Sequence, residues 1–364
     1  MNETGEQMVN EYAKLKGEPR LLLEIEMEPV QGTRFQPTGF ADLGAAVFER
    51  PDGKRMILVE SAQSIANRLE STCLDGTGPK ISKELEGLPY ILVRLLGEIE
   101  TETSSLIEAH RINSPFIMSN EEFKKRFAAE AKYVKGKPLD WRNIGKALFK
   151  YDPNSLLHGV FMANLEDGRM KMPRALTGFI EAEDVREAAS GGVKNNPLDP
   201  SGKMRAENYD KDVYGNVPYH RMEYTAGKIT AFFNIDLSLI EGYGLPAEAS
   251  DLLVSLGLFK IRKFLKSGLR LRTACDLKVK GEPKVIAPAG FVIPTEATLL
   301  SLVQSGIKAC ETKGLFNSPP VLEIKTKVKV SKKSVQDKGK EGEQGENKDR
   351  DSAGNEGEPG ESGD

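Results

Sequence analysis

Cysteine is scarce in this chain. Cys73, Cys275 and Cys310 are odd in number and far apart. No Cys-x-x-Cys joins them, which argues against a disulfide framework and a zinc ribbon and suits small core residues in a reducing compartment. Histidine is equally sparse: His110, His158 and His220 are scattered, with no His-Glu-x-x-His. A Walker A sequence and a Gly-x-Gly-x-x-Gly after a strand are also missing, so no cofactor and no metal site is expected. No apolar run reaches membrane-span length, and the polar start of the chain has no signal-like core; a cytoplasmic protein without membrane contact is expected. Charge of one sign is lacking too, at a formal −3 over 364 residues. That total hides an uneven distribution. Residues 331–364 hold ten acidic and six basic residues, leaving the body at net +1, and residues 260–284 carry nine Lys/Arg against Asp276 and Glu282.

What is present is an alternation of short periodic segments with 35 Gly and 20 Pro marking the turns. Residues 1–19 read as a polar leader. Leu21, Leu23, Ile25 and Met27 share one face of a first strand. Residues 45–49 and 55–59 flank Pro51-Asp-Gly-Lys54, a hairpin signal. In residues 61–70, Ala62, Ile65, Ala66 and Leu69 make one apolar helical stripe behind an N-capping Ser61, with Gln63, Ser64, Asn67 and Arg68 opposite. Residues 90–96 suit a strand. Ser119-Asn-Glu-Glu122 opens a helix, and residues 141–149 a second. Residues 156–164 and 175–182 look like a central hairpin turned at 166–169. Residues 186–220 break every periodicity, and a polar stretch that long between strands points to a functional excursion. Residues 223–239 resume as strand. Residues 246–267 form an amphipathic helix with Lys260, Arg262, Lys263 and Lys266 on its polar face. Residues 269–276 alternate, which puts Arg270 and Arg272 on one face of a strand. A last helix at 295–313 and a strand at 321–330 precede the 331–364 tail, which cannot bury enough apolar surface to order. The expected fold is α+β: an antiparallel sheet, helices on one face, and one body over residues 20–330.

The candidate chemistry is a surface that grips phosphodiester chains. Gln31, Arg34 and Gln36 lie in a loop with two glycines and with Phe35 and Phe40, so its backbone can approach a phosphate while a ring carries a base. Ser61, Gln63, Ser64, Asn67 and Arg68 supply donors from the helix. His110, Arg111, Arg174, Lys194, Arg221, Arg270 and Arg272 sit at element ends or on polar faces. Tyr209, Tyr214 and Tyr219 offer further stacking. His158 lies in an apolar run and reads as a core residue. A His–Arg pair at 110–111 or 220–221 suits a general acid/base beside a phosphate clamp, and Asp210 and Asp212 have the spacing of a metal-carboxylate pair. Both are ordinary pairings, and binding without reaction is preferred.

Three blocks carry a resemblance: Val30-Gln-Gly-Thr-Arg-Phe-Gln-Pro-Thr-Gly-Phe-Ala-Asp-Leu-Gly44, Val59-Glu-Ser-Ala-Gln-Ser-Ile-Ala-Asn-Arg-Leu-Glu70 and Glu108-Ala-His-Arg-Ile-Asn-Ser-Pro115. They resemble the Csb family, the RAMP-type (Cas-seven type) backbone subunits of type I-G, formerly I-U, CRISPR-Cas effector complexes. The likeness spans about residues 20–325. It implies a ferredoxin-like, RNA-recognition-type core with extra helices and residues 186–220 as a large "thumb" insertion. It implies a non-catalytic role in antiviral defence. Copies would line up head to tail on a guide crRNA, hold it for pairing with target DNA, and contact other effector subunits. The family's lysine-arginine pair on the helix is reduced here to Asn67-Arg68, which implies fewer phosphate contacts. The alternatives are a RAMP endoribonuclease using His110, His220 or Asp210, and an unrelated α+β enzyme with a small-molecule pocket.

Overall fold

The structure, a computed structural model, describes residues 14–40, 43–165, 167–204 and 215–329. The expected leader (mostly), the acidic tail, Tyr209, Tyr214, Asp210 and Asp212 lie outside the described residues.

The first strand, β1 (Arg20–Pro29), buries Leu21, Leu23, Ile25 and Met27 as its alternation requires. The hairpin β2 (Val47–Glu49) and β3 (Arg55–Glu60) leads into α1 (Ala62–Ser71), which buries Ile65, Ala66 and Leu69. β4 (Tyr90–Gly97) and β5 (Thr101–Ser104) follow, then α2 (Glu121–Glu130), α3 (Trp141–Tyr151) and α4 (Asn154–His158). Next come β6 (Leu176–Glu183), β7 (Arg186–Lys194), β8 (Val217–Thr225) and β9 (Lys228–Asp236). α5 (Ala247–Lys266), β10 (Arg270–Arg272), β11 (Cys275–Val279), β12 (Lys284–Ala287), α6 (Glu296–Thr312) and β13 (Val321–Val328) complete the chain.

The main sheet runs β10-β11-β1-β9-β6-β3-β2, antiparallel throughout, with β12 sharing the β11 flank of β1. In chain order, β1, α1, β6, β9, α5 and β11 form a split βαβ pair: the fourth, first, third and second of these strands stand side by side. The register Leu21↔Ile235, Leu23↔Phe233 and Ile25↔Ala231 stacks buried side chains across the centre. Each such side chain contributes about 1.5–3 kcal/mol through its removal from water. Gly178 on β6 is required here, because a Cβ would lie 2.6 Å from the Phe233 ring.

Four expectations are corrected. Residues 156–164 are not half of a central hairpin: they hold the end of α4 and a two-residue ladder, while β6 pairs with β3 and β9. β4 and β13 stand apart from the main sheet and pair parallel, from Val321↔Tyr90 to Val328↔Gly97. The excursion is not aperiodic coil. β7 and β8 pair over nine positions, from Arg186↔Thr225 to Lys194↔Val217, as a projecting ribbon. Most of its side chains are exposed on both faces, so no apolar alternation marks the strands. Lys260, assigned to a solvated helix face, is fully buried. Among the described residues no helix is long and apolar enough to cross a membrane.

Candidate nucleic-acid interface

The ribbon is tied to the 31–38 loop at its foot, and Glu187 on β7 pairs with Arg55 on β3 at 2.6 Å. Phe35 and Tyr224 exchange backbone hydrogen bonds, each 2.9 Å, and both side chains are buried. This contact overturns the stacking role expected of Phe35: its ring is a core anchor that fixes where the 30–34 tip emerges beside β8. At the tip, Gly32 adopts φ +64° in open space, so the backbone there is bare.

Between this tip, the base of β8 and the β10–β11 turn lies an open concavity of about 590 Å³. Gln31, Arg34, Arg221, Glu223 and Asp276 line it. Glu223, only 5% exposed, takes Arg221 at 2.7 Å and Arg34 at 3.6 Å. With Asp276 the lining is balanced, two guanidiniums against two carboxylates, and Arg270 beside it makes the group net positive. Arg270, on β10 beside the concavity, is 75% exposed and reaches Asp276 at 3.7 Å. Ion pairs this long and wet are worth about 0–1 kcal/mol, so a phosphate can displace them. On the ribbon, Lys194 and His220 are exposed, and Tyr219 is 54% exposed with its ring laid over Gly192.

A second polar patch lies on α1. Ser61 caps the helix by accepting from Ser64 N–H at 3.2 Å. Gln63 donates to Asn67 Oδ1 at 3.0 Å and accepts from Arg174. Arg174 is half-buried; burial, then the nearby Arg111 charge, lowers its pKa. The outward groups of this patch are Gln63 and Asn67.

Ser64, Arg68, Arg111 and Arg272 are turned inward. Ser64 Oγ and Arg68 Nε both donate to Oε1 of Glu60, the latter at 2.8 Å, and Arg272 pairs with Oε2. Arg272 also donates to Gln36 O and Val59 O, both at 3.0 Å, and so parts from its expected companion Arg270. Arg111 grips Glu70 with Nε at 2.5 Å and NH2 at 2.8 Å, and donates NH1 to Gly159 O at 3.0 Å. Its φ of +52° is held by these bonds, while the neighbouring His110 stays exposed. His158 is buried, with Nε2 2.7 Å from Lys260 Nζ; burial and then the Lys260 charge push its pKa well down, so the ring is neutral. Of the residues singled out from sequence, Gln31, Arg34, Arg221 and Arg270 come together. Gln63, Asn67 and Arg174 form a separate set, and Arg68, Arg111 and Arg272 brace the fold. Sequence reasoning missed Glu223 and Glu60. Glu223 lies two positions past Arg221 on one strand face, but nothing local marks Glu60.

Residues 21–187 match the model of a family described as CRISPR-associated protein GSU0053. That span ends inside β7, so it holds the loop and α1 but not β8 or the β10–β11 turn. No curated protein matches the chain. Among solved structures, the chain is similar to a "CRISPR RNA-guided surveillance complex, pre-nicking" chain at 14% identity and TM-score 0.37, covering 71% of this chain and 74% of that one. It is also similar to a "CRISPR RNA-guided surveillance complex" chain (13%, TM-score 0.33, 81% and 83%) and to Thermofilum pendens Csc2 (8%, TM-score 0.28, 83% and 79%). At such TM-scores the structural likenesses bear no weight below.

Proposed function

We propose that this chain is a non-catalytic, RNA-holding backbone subunit of a CRISPR RNA-guided effector complex, with a RAMP-type, ferredoxin-like core. The observation that carries the reading is the cationic concavity where the bare 30–34 tip, the foot of the ribbon and the β10–β11 turn meet. Arg34 and Arg270 are held by long, displaceable pairs, Arg221 stays on the buried Glu223, and the ribbon beside them adds Lys194, His220 and Tyr219. Phosphates bind the guanidiniums, the Gly32 tip lets backbone N–H groups approach, and no base-specific pocket is needed. The match of residues 21–187 to a CRISPR-associated family supports the same reading. On this reading, copies thread head to tail on one guide, the ribbon reaches toward the neighbouring copy, and the guide pairs with target DNA.

Titration of single-stranded RNA against purified protein tests it. Binding weakens with salt at a log–log slope of about −2 if the three arginines of the concavity each displace one counterion. Co-expression with a repeat-spacer transcript gives rods whose length follows the spacer. Failure to bind RNA at low salt, or particles indifferent to spacer length, overturns the proposal. RNA cleavage that is lost on His110→Ala or Asp210→Ala replaces it with an endoribonuclease.

A further inference from the structure

We infer that Glu60 is a positioning residue for RNA binding: buried beneath the 31–38 loop, it holds Arg68 and Arg272 as struts that fix the loop in its gripping conformation without touching RNA. This inference rests on the function proposed above.

The geometry is a closed chain of contacts. The Glu60 side chain is 0% exposed at the end of β3. Its Oε1 receives Ser64 and Arg68 from α1, and its Oε2 receives Arg272 from β10. Each guanidinium also donates to backbone carbonyls: Arg68 to Leu271 O, Arg272 to Gln36 O and Val59 O. The loop closes the circuit with Gln36 N–H to Ala274 O at 2.8 Å and Thr38 N–H to Val59 O at 3.0 Å. Loop, β3, α1 and β10 are therefore cross-tied through one carboxylate. Each arginine has two of its three guanidinium nitrogens committed inward. A charge-assisted network in this setting is held strongly when complete and loosens as a unit when its centre is removed.

Neutralising the carboxylate separates two accounts by sign. Glu60→Gln keeps the shape and adds one net positive charge under the loop. If Arg68 and Arg272 are phosphate ligands that Glu60 merely masks, RNA binds tighter. If Glu60 positions the loop, RNA binds weaker despite the added charge, by about tenfold, comparable to one charge-assisted hydrogen bond.

The experiment measures RNA affinity well below the melting temperature for the wild type, Glu60→Gln, Arg272→Gln and the double variant, with hydrogen exchange of the 30–38 peptide in the absence of RNA. The expected result is faster exchange in Glu60→Gln, weaker RNA binding in each single variant, and no further loss in the double. Tighter or unchanged RNA binding by folded Glu60→Gln overturns the positioning role. Unchanged exchange overturns the clamp itself, whether or not the wild type binds RNA, so its failure is distinct from failure of the RNA reading. Should Glu60→Gln not fold, Ser64→Ala removes only one donor from Oε1; it is expected to weaken RNA binding about two- to threefold in the same sense. Wild-type affinity in folded Ser64→Ala then overturns the inference.

Discussion

The floor beneath the loop and the rim of the concavity are both built from arginines on carboxylates, yet the two behave as different materials. On the floor, Arg68 and Arg272 meet Glu60, and further along α1 Arg111 meets Glu70, whose side chain is 12% exposed. On the rim, Arg34 and Arg270 keep more than half of their surface and stand 3.6 and 3.7 Å from their partners. The chemistry of the pairs is the same; the exposure of the arginine differs, at 9–29% for Arg111, Arg272 and Arg68 against 52% and 75% for Arg34 and Arg270. A buried guanidinium cannot reach a phosphate without breaking a short pair in a low dielectric, whereas an exposed one in a long pair exchanges at little cost. An arginine in a motif-like position is thus available to RNA only as far as its own guanidinium is wet and its pair is long.

The hardest test of that distinction is Arg111→Ala. It strips Glu70 of a bidentate partner in a nearly closed site, and breaking such a pair costs about 3–5 kcal/mol. The melting temperature is expected to fall on the order of ten degrees, with unchanged RNA affinity per folded molecule. A folded variant with wild-type melting and weakened RNA binding would move Arg111 to the rim class and collapse the comparison.

A buried acid without an arginine of its own sharpens it. Asp152 is fully buried and takes Ser155 Oγ and the Asn154 N–H instead of a cation, and burial pushes its pKa up to about 6. A raised carboxyl pKa means stability that is complete below the unfolded value near 3.8 and lost as pH rises through 6. His158, held neutral, works in the opposite sense, losing stability as pH falls below its ordinary 6.5. Asp152→Asn retains His158, so that contribution cancels in the difference between the two proteins. Relative to the wild type, Asp152→Asn should gain stability from pH 5 to 7.5, approaching an upper bound of about 3 kcal/mol. Parallel melting curves across that range would show that Asp152 is not penalised by burial.

These contrasts also mark how far the residues disclose the fold. β1 and α1 are plain in the sequence, since one wet and one dry face impose periods of two and 3.6. The β7–β8 ribbon is invisible because both faces are wet, and Lys260 misleads because its ammonium turns inward to Asn154 and His158 of α4. The kinds of residue in the site were legible, but their partners were not. Arg68 and Leu271 are 203 positions apart, and Arg272 and Gln36 are 236. Arg68→Ala is therefore expected to disturb folding, whereas Gln63→Ala, on the outward side of α1, is not. Arg68 sits opposite the apolar stripe as expected, but β3 and β10 close over that side.

The smallest expected effects belong to the rim. Arg34→Ala, Arg221→Ala and Arg270→Ala should each weaken RNA binding several-fold, of order 1 kcal/mol, and lower the salt slope by about 0.7 apiece. Melting temperature should stay within a degree or two for Arg34→Ala and Arg270→Ala, because exposed pairs contribute little to folding, and fall further for Arg221→Ala, whose partner Glu223 is buried. Arg34 and Arg221 are not independent, since Glu223 is shared between them. Removing either leaves the other to neutralise the acid and lose its pull on phosphate; removing both leaves a bare carboxylate facing the RNA. The double variant is expected to lose more than the product of the single effects, and Glu223→Gln in that background should restore part of the loss. Simple additivity with no rescue would mean that phosphates do not enter the concavity beside Glu223, and would shift the RNA path toward Gln63, Asn67 and Arg174 on α1.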